Sequence, residues 1–235
     1  MDKKLAIMQP YFFPYIGYFQ LINSVDEFVI YDNIQYTKKG WINRNRILTS
    51  KKDQLFTLPL KKDSDYLNIL ERSISDTWDK EKIKLLNTIN NSYNKAPYFK
   101  EVNELLRECL FDPESNLFKF LLNTLVRVNN YLGIATPITI SSTIKINHNL
   151  KSQDKVLAIC EEQKTDTYIN AIGGTELYDK NVFLNHNINL NFIKSNPIEY
   201  KQFDNNFIPW LSIIDVMMFN SVENIKGYLN NYTLV

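Results

Sequence analysis

Hydrophobic residues near the start of the chain form two short runs separated by a helical repeat. The runs are KLAIM, residues 4–8, and EFVIYD, residues 27–32, and both have the length of buried strands. Between them, apolar residues recur at the spacing of one helix face: Ile16, Phe19, Ile22 and Val25. We predict a helix from Tyr15 to about Ser24. Strand, helix and strand form a βαβ unit, which favours a parallel sheet with a right-handed crossover.

The middle of the chain changes from extended to helical periodicity. A turn and an extended segment are predicted in residues 38–50, and a strand in residues 54–60. Helical spacing then runs through residues 79–93 and 97–132, with a break at Asp112–Pro113. This stretch predicts a helical insertion at roughly residues 79–133.

Strand and helix patterns alternate again after the insertion. A strand that leads into a loop is predicted at 137–146, and further strands at 167–172 and 188–194. Helices are predicted at 152–164, 182–187, 211–219 and 222–231. Ser152 is the predicted N-cap of its helix. The whole pattern predicts a single α/β domain over residues 1–235, with a Rossmann-like, mostly parallel sheet and a layout like that of HIGH-type nucleotidyltransferases.

The net charge and the number of cysteines indicate which binding partners and which cellular compartment to expect. The net charge of +1 argues against a protein that binds a long phosphate backbone, so we expect no DNA partner. The two cysteines, Cys109 and Cys160, are expected to be reduced thiols of a cytoplasmic protein, and no spacing suggests a metal site. The first apolar run is too short for a signal peptide, and no run has the length of a membrane span.

The segment MQPYFFPYIGYFQLI, residues 8–22, is the first candidate site. Ligands of open α/β sheets bind beyond the carboxyl ends of strands, where this segment is predicted to lie. Polar side-chain groups placed just past a buried strand need hydrogen-bond partners. We therefore expect four residues of this segment to contact a ligand: Gln9, Tyr11, Tyr15 and Tyr18. The alternative is that the aromatic rings only fix the helix to the sheet.

The basic segment KKGWINRNR, residues 38–46, is the second candidate site. Arginine and lysine suit phosphate groups, and tryptophan offers a stacking plane for a base or sugar. We expect four residues to contact a ligand: Lys39, Trp41, Arg44 and Asn45. The central prediction is that this segment and the opening segment converge on one cavity. The alternative is a solvated surface strand.

Acidic residues and glycines elsewhere extend the candidate site. Asp32 ends the second strand and Asp215 lies in an apolar helix, so each is a candidate catalytic acid or base, together with Gln9. The predicted substrate contacts that follow other strands or begin the last helices are Gly173, Gly174, Glu176 and Ser212. The alternatives are turn-forming or capping aspartates and a tight glycine turn.

Two short motifs resemble those of HIGH-motif nucleotidyltransferases. The stretch P-Y-I-G-Y is similar to their P-x-H-x-G-H motif, with Tyr15 and Tyr18 in place of the histidines. ISSTIK, residues 140–145, is similar to a Ser-Ser phosphate loop, which adds Ser141 and Ser142 to the predicted contacts. Because the histidines are missing, the resemblance supports a Rossmann-like fold more than it supports the nucleotidyl-transfer reaction.

Longer motifs identify the chain as a member of the WbqC-like family. The matching stretches are IMQPYFFPYIGYFQLI, VDEFVIYDNIQYTKKGWINRNRI, DTYINAIGGTELYD and FIPWLSIIDVMMFNS. The resemblance implies a role in bacterial O-antigen or other surface-polysaccharide synthesis, on a nucleotide-linked amino sugar. The positions it carries over as functional are Gln9, Tyr11, Asp32, Lys39, Trp41, Arg44, Asn45, Gly173, Gly174, Ser212 and Asp215.

Two functions follow as hypotheses. The first is a transferase that attaches a glycyl or other acyl group to the amine of a dTDP- or UDP-linked amino sugar, with a carboxylate as base. The acyl donor is open; ATP would be the cofactor if the acyl group is activated as an adenylate. The second is a non-catalytic nucleotide-sugar-binding or scaffold protein of the same pathway.

Overall fold

The computed structural model describes residues 2–49, 52–203 and 206–235. A six-stranded sheet has the order β5-β2-β1-β6-β7-β8, and β3 and β4 form a separate hairpin. The strands are β1 Lys4–Met8, β2 Glu27–Ile30, β3 Arg44–Thr49, β4 Lys52–Thr57, β5 Ile138–Ile140, β6 Thr167–Ala171, β7 Asn189–Ser195 and β8 Tyr232–Leu234. The helices are α1 Ile16–Asn23, α2 Trp78–Tyr93, α3 Phe99–Leu110, α4 Leu117–Leu132, α5 Ser152–Glu162, α6 Lys180–Asn185, α7 Ile213–Phe219 and α8 Val222–Leu229.

The first five strands of this order are parallel, and β8 is antiparallel to β7. Because β1 lies between β2 and β6, the chain builds the sheet outward in both directions from its first strand. This confirms the predicted Rossmann-like α/β class. In such sheets the carboxyl ends of the strands beside the first one are where ligands bind.

Alternate strand residues separate the two layers of the core. Ala6 and Phe28 belong to the apolar cluster that contains α1, α7 and the helical insertion. Leu5 and Val29 point the other way, into a smaller cluster with α5 and α6. Strand side chains alternate between faces, so the uninterrupted apolar runs found in sequence serve both layers.

The helical insertion shares the larger cluster with the opening segment. The ring of Phe12 lies 6.2 Å from that of Trp78 on α2 and 6.1 Å from that of Phe120 on α4, measured between centroids. The aromatic residues of the opening segment therefore have a packing role, as the alternative interpretation expected for Phe12 and Phe13, which are buried.

Several predicted boundaries are wrong. Residues 137–146 contain the predicted strand followed by a loop: the strand is Ile138–Ile140, and residues 141–143 form a 3-10 turn. Ser152 is not an N-cap: Lys151 has that place and Ser152 is the first helical residue, with φ of +48°. The edge strand β8 was not predicted, and residue 50 of the predicted extended segment lies outside the described residues.

Candidate substrate cleft

Three separate chain segments meet beyond the carboxyl end of β1. The amide of Phe12 in the opening loop donates to the carbonyl of Ile42 at 3.0 Å, which joins the loop to the basic segment. The amide of Ser212 donates to the carbonyl of Arg46 at 2.9 Å, which adds the segment before α7. The opening and basic segments therefore lie side by side, in the arrangement that the sequence analysis anticipated.

The buried side chains of Asn45 and Ser212 stabilise this junction through hydrogen bonds to the opening loop. Asn45 Nδ2 donates to the carbonyl of Phe13 at 2.9 Å, and Ser212 Oγ donates to the same oxygen at 2.7 Å. Ser212 also caps α7, accepting from the amide of Ile214. Both side chains are buried, and both were expected to contact the ligand. Their polar groups instead fix the loop backbone, which gives them a positioning role.

Strained backbone accompanies this junction. Phe13 has φ of +44° and Trp210 has φ of +61°, in the left-handed region that side chains other than glycine seldom adopt. Such a residue costs on the order of 1–3 kcal/mol and persists only where the surroundings impose it. The two hydrogen bonds to the Phe13 carbonyl supply that constraint.

The junction opens into a cleft walled by aromatic rings, which we call the aromatic cleft. Its smaller part has a volume of about 190 Å³, and its lining residues are Tyr11, Pro14, Tyr15, Trp41, Asn45, Arg46 and Trp210. Tyr15 and Trp210, whose ring centroids are 5.9 Å apart, also line an adjoining apolar cavity of about 440 Å³. Trp41 is 46% exposed and Trp210 55%, so two large stacking surfaces face solvent.

Arg46, rather than Arg44, brings positive charge to the cleft. Arg46 pairs with Asp53 at 2.9 Å, and its guanidinium carbon lies 6.0 Å from the Trp41 ring centre. Arg44 donates from Nε to the carbonyl of Gly40 at 2.8 Å and from Nη2 to that of Lys38 at 2.9 Å. The predicted phosphate contact at Arg44 is thus engaged in holding the turn before β3.

Lys39 belongs to that same turn and is exposed to solvent. Its side chain is not among the groups that wall the cleft in the described part of the chain. Trp41 therefore walls the cleft, whereas Lys39 does not.

The tyrosines of the opening loop differ in their freedom to bind. Burial raises the pKa of both Tyr11 and Tyr15, so their hydroxyls stay protonated and can donate. Neither hydroxyl has a hydrogen-bond partner among the residues that the structure describes. Tyr18 is buried and donates to the carbonyl of Gln9 at 2.7 Å, which ties α1 to the end of β1. The Gln9 side chain is half-buried at the same position.

Glycine at position 17 is explained by Tyr15. A Cβ atom there would lie 2.3 Å from Tyr15 Cε2, because the tyrosine ring folds back over the first turn of α1. Gly17 therefore allows the ring to form the wall that it shares with Trp210, and any side chain would displace it.

Asp215 lies beneath the cleft and is completely buried. Its Oδ2 accepts from Tyr93 Oη at 2.8 Å, and its Oδ1 accepts from Tyr200 Oη and from Gln202 Nε2, both at 2.7 Å. Burial raises the pKa of Asp215, and the three donors partly oppose that rise. The carboxylate itself does not face the cleft, but the Tyr200 ring lines the apolar cavity.

Asp32 occupies a different place, between the ends of β2 and β5. Its Oδ1 accepts from Ser141 Oγ at 2.8 Å and from the Ser142 amide at 2.9 Å, and its Oδ2 accepts from Ser142 Oγ at 2.5 Å. The predicted base and the predicted phosphate loop therefore bind each other. Their hydrogen bonds hold the two strand ends together.

The glycines after β6 also lie away from the aromatic cleft. A Cβ at Gly174 would lie 2.2 Å from Asn170 Nδ2, whereas one at Gly173 would meet no described atom within 4 Å. Neither has a positive φ, and Glu176 is exposed. Gly174 therefore serves close packing against Asn170.

The sequence analysis did not predict three residues that line the smaller part of the cleft: Pro14, Arg46 and Trp210. Arg46 was counted in the basic segment but not chosen, because an alternating pattern does not tell which face of a hairpin meets the opening loop. Trp210 lies in the stretch FIPWLS, where an aromatic residue between proline and a helix N-cap was the available signal.

The fold and the cleft define a Rossmann-like α/β protein with an aromatic cleft at the carboxyl end of its first strand. The chain belongs to the WbqC-like protein family, whose sequence profile matches residues 9–227. It is 29% identical over 229 residues to the uncharacterized protein Rv1507c of Mycobacterium tuberculosis, an alignment that covers 97% of each chain. No solved structure matches it.

No helix within residues 2–49, 52–203 and 206–235 combines the length and the apolar character needed to cross a lipid bilayer.

Proposed function

We propose that this protein is a transferase of bacterial surface-polysaccharide synthesis, acting in the cytoplasm on a nucleotide-linked amino sugar. It attaches a glycyl or other acyl group to the sugar amine. The observation that carries the proposal is the aromatic cleft, with two exposed tryptophans and one arginine at the carboxyl end of the central strand. Family membership supplies the metabolic context.

The cleft matches the parts of such a substrate. Stacking on an aromatic ring is worth about 1–3 kcal/mol per base, so Trp41 or Trp210 provides a platform for the base or the sugar. The Arg46 guanidinium suits a diphosphate, which would share it with Asp53. The free hydroxyls of Tyr11 and Tyr15 are available to donate to sugar oxygens. The adjoining apolar cavity has room for the acyl group.

The reaction requires a neutral amine and an activated acyl group. The amine nitrogen forms a bond to the acyl carbon, the bond to the leaving group breaks, and the amine proton passes to a base. If the acyl group comes from an adenylate, AMP leaves. Of the two predicted carboxylates, Asp215 is connected to the cleft through Tyr200. We assign it the proton-accepting role, with Tyr200 as the group between it and the amine.

A specific observation favours the second candidate, a binding protein without catalysis. Both predicted carboxylates already accept three hydrogen bonds, and neither lines the cleft. On this interpretation the cleft holds the nucleotide-linked sugar for another protein of the same pathway.

Binding and turnover separate these candidates. Calorimetry with UDP- and dTDP-linked amino sugars should show saturable binding that Trp210→Ala weakens about tenfold. Phe111→Ala is the matched control, since Phe111 is 44% exposed at the end of α3 and should leave affinity unchanged. Equal effects of both variants would remove the cleft from the site.

Mass spectrometry then tests the reaction. The protein is incubated with the amino-sugar nucleotide, ATP and glycine, and the sugar should gain a glycyl group while AMP is released. Amide formed with release of ADP and phosphate in place of AMP would exclude the adenylate route in favour of an acyl phosphate. No amide with ATP and glycine would move a thioester or aminoacyl-tRNA donor forward, and these donors are then supplied in the same assay. Binding with no mass gain from any of these donors would favour the non-catalytic candidate.

A further inference from the structure

A second cavity lies at the same end of the sheet but on its other face. It has a volume of about 610 Å³ and is lined by the segment after β2, the loop before α5, the first turns of α5, and Tyr178. The lining residues that matter here are Tyr31, Asn33, His148, Lys151, Lys155 and Tyr178. We call it the Lys155 cavity. Tyr31 and Tyr178 pack against the smaller apolar cluster, whereas Tyr11 of the aromatic cleft packs against the larger one.

Lys155 is a buried cation without a carboxylate partner. Only 6% of the residue is exposed, and no described acidic oxygen lies within ion-pair distance of its ammonium group. Nζ donates to the carbonyl of Asn33 at 3.2 Å and to its Oδ1 at 3.1 Å, and lies 5.4 Å from the Tyr31 ring centre. Burying a charge without a counter-ion is costly. The hydrogen bonds to Asn33 offset part of that cost, and an anion in the cavity would supply the missing counter-charge.

The surroundings of Lys155 are suited to an anion. Among its described lining residues the cavity has no aspartate or glutamate, and Lys151 adds a second cation to Lys155. The ring nitrogens of His148 are occupied by the side-chain amide of Asn33 and the carbonyl of Ile144, so His148 offers no free donor. The charge of Asp32 acts on Lys155, but both Asp32 oxygens are bound to Ser141 and Ser142. Helix α5 also begins here, and its N-cap residue offers no side-chain hydrogen bond to the first turn.

We propose that the Lys155 cavity binds the phosphate group of a small phosphorylated ligand. The ammonium group supplies the charge, the start of α5 supplies amide donors, and the Tyr31 and Tyr178 rings flank the remainder of the ligand. The volume is within the range of cavities that hold a nucleotide. This inference does not rest on the function proposed for the aromatic cleft, since different residues and the opposite sheet face carry it.

Calorimetry on the full chain is the first test. UDP and ADP should bind saturably, while uridine and adenosine, which lack phosphate, should bind at least about tenfold more weakly. Lys155→Met should weaken UDP binding about 10- to 100-fold. Lys119→Met removes one exposed lysine from α4 and should leave affinity unchanged. Nucleosides that bind as tightly as nucleotides, or a Lys155→Met protein with unchanged affinity, would overturn the proposal.

Chemical labelling of the wild-type protein is the second test, and it does not depend on a variant that folds. Acetic anhydride modification of each lysine is followed by peptide mass spectrometry, with and without saturating UDP or glucose 1-phosphate. Bound ligand should slow labelling of Lys155 severalfold and leave Lys119 unaffected. A ligand in the aromatic cleft alone would leave Lys155 labelling unchanged, and that result would also overturn the proposal. Protection by glucose 1-phosphate as well as UDP would identify phosphate as the shared determinant.

Discussion

The hydroxyl of Tyr93 connects three elements beneath the aromatic cleft, and its removal tests the role of Asp215. Tyr93 ends α2, accepts a hydrogen bond from the amide of Leu48 on β3 at 2.8 Å and donates to Asp215 on α7 at 2.8 Å. Tyr93→Phe keeps the buried ring but deletes both hydrogen bonds. The Leu48 amide then has no acceptor, and the Asp215 carboxylate loses one of its three donors.

The magnitude follows from these two losses. A buried N–H left without an acceptor costs about 1–3 kcal/mol, and a hydrogen bond to a charged group contributes about 1.5–3 kcal/mol. We therefore expect Tyr93→Phe to lower the free energy of unfolding by about 2.5–6 kcal/mol. For a chain of 235 residues this corresponds to a fall in melting temperature of roughly 5–24 °C.

The pH dependence of the stability difference between Tyr93→Phe and wild type provides a second, independent test of this prediction. Burial holds the pKa of Asp215 above its ordinary value of 3.8, so the folded protein keeps this proton to higher pH than the unfolded chain does. Its contribution to stability therefore falls as the pH rises through that window. Because Tyr93 stabilises the ionised carboxylate, its loss raises the pKa of Asp215 further. The deficit of Tyr93→Phe should be largest at about pH 8 and should shrink as Asp215 takes up its proton.

Urea unfolding of both proteins, followed by circular dichroism across this pH range, measures the deficit. Tyr131→Phe is the control, because the Tyr131 hydroxyl makes no hydrogen bond within the described chain and its loss should change stability by less than about 0.5 kcal/mol. A Tyr93→Phe deficit under about 1 kcal/mol, or one that grows on acidification, would refute the argument that Tyr93 stabilises an ionised Asp215.

Three further changes have defined outcomes. Asn45→Ala removes the side chain that fixes the opening-loop carbonyls, so it should cost about 1–3 kcal/mol in denaturant unfolding and also weaken ligand binding in the cleft. Gly174→Ala should destabilise by about 1–2 kcal/mol because its Cβ would meet the Asn170 amide, whereas Gly173→Ala, which meets open space, should change the melting temperature little. Burial lowers the pKa of Lys155, so the charged lysine destabilises the folded protein at neutral pH. The ligand-free Lys155→Met protein should therefore be at least as stable as wild type at neutral pH, and this advantage should disappear as the pH rises toward the ordinary lysine pKa. A marked loss of stability at neutral pH would contradict this.

The order of elements was predictable because each buried strand and helix face has a clear apolar period. The runs 4–8 and 27–32 gave β1 and β2, and the helical spacing of 79–93 gave α2. Boundaries that depend on local hydrogen bonds were not predictable in this way. Ser152 has the residue type of an N-cap, yet it lies one position inside α5 with a left-handed φ. The edge strand β8 has three residues, too few to show a period.

The site was predictable as a meeting of segments but not as a set of contacts. Residue type suggested that Asn45, Ser212 and Arg44 bind ligand, but in the structure their polar groups satisfy loop carbonyls. A sequence does not show which polar side chain will form hydrogen bonds with backbone carbonyls, since that depends on how loops distant in sequence approach each other. For the same reason Trp210, distant in sequence from Tyr15, was not chosen as its partner.

The backbone around the cleft supports the proposal that this surface recognises a ligand. Phe13 and Trp210 lie in the left-handed region, where each residue costs on the order of 1–3 kcal/mol, and the Trp210 ring is exposed. Asn45 and Ser212 offset that cost by holding the Phe13 carbonyl. Because the rings are fixed before a ligand arrives, little ordering entropy is lost on binding, which raises affinity without further contacts. The strained backbone and the side chains of Asn45 and Ser212 therefore act together. A variant that relaxes the opening loop should bind the ligand of the cleft more weakly even though every aromatic ring remains.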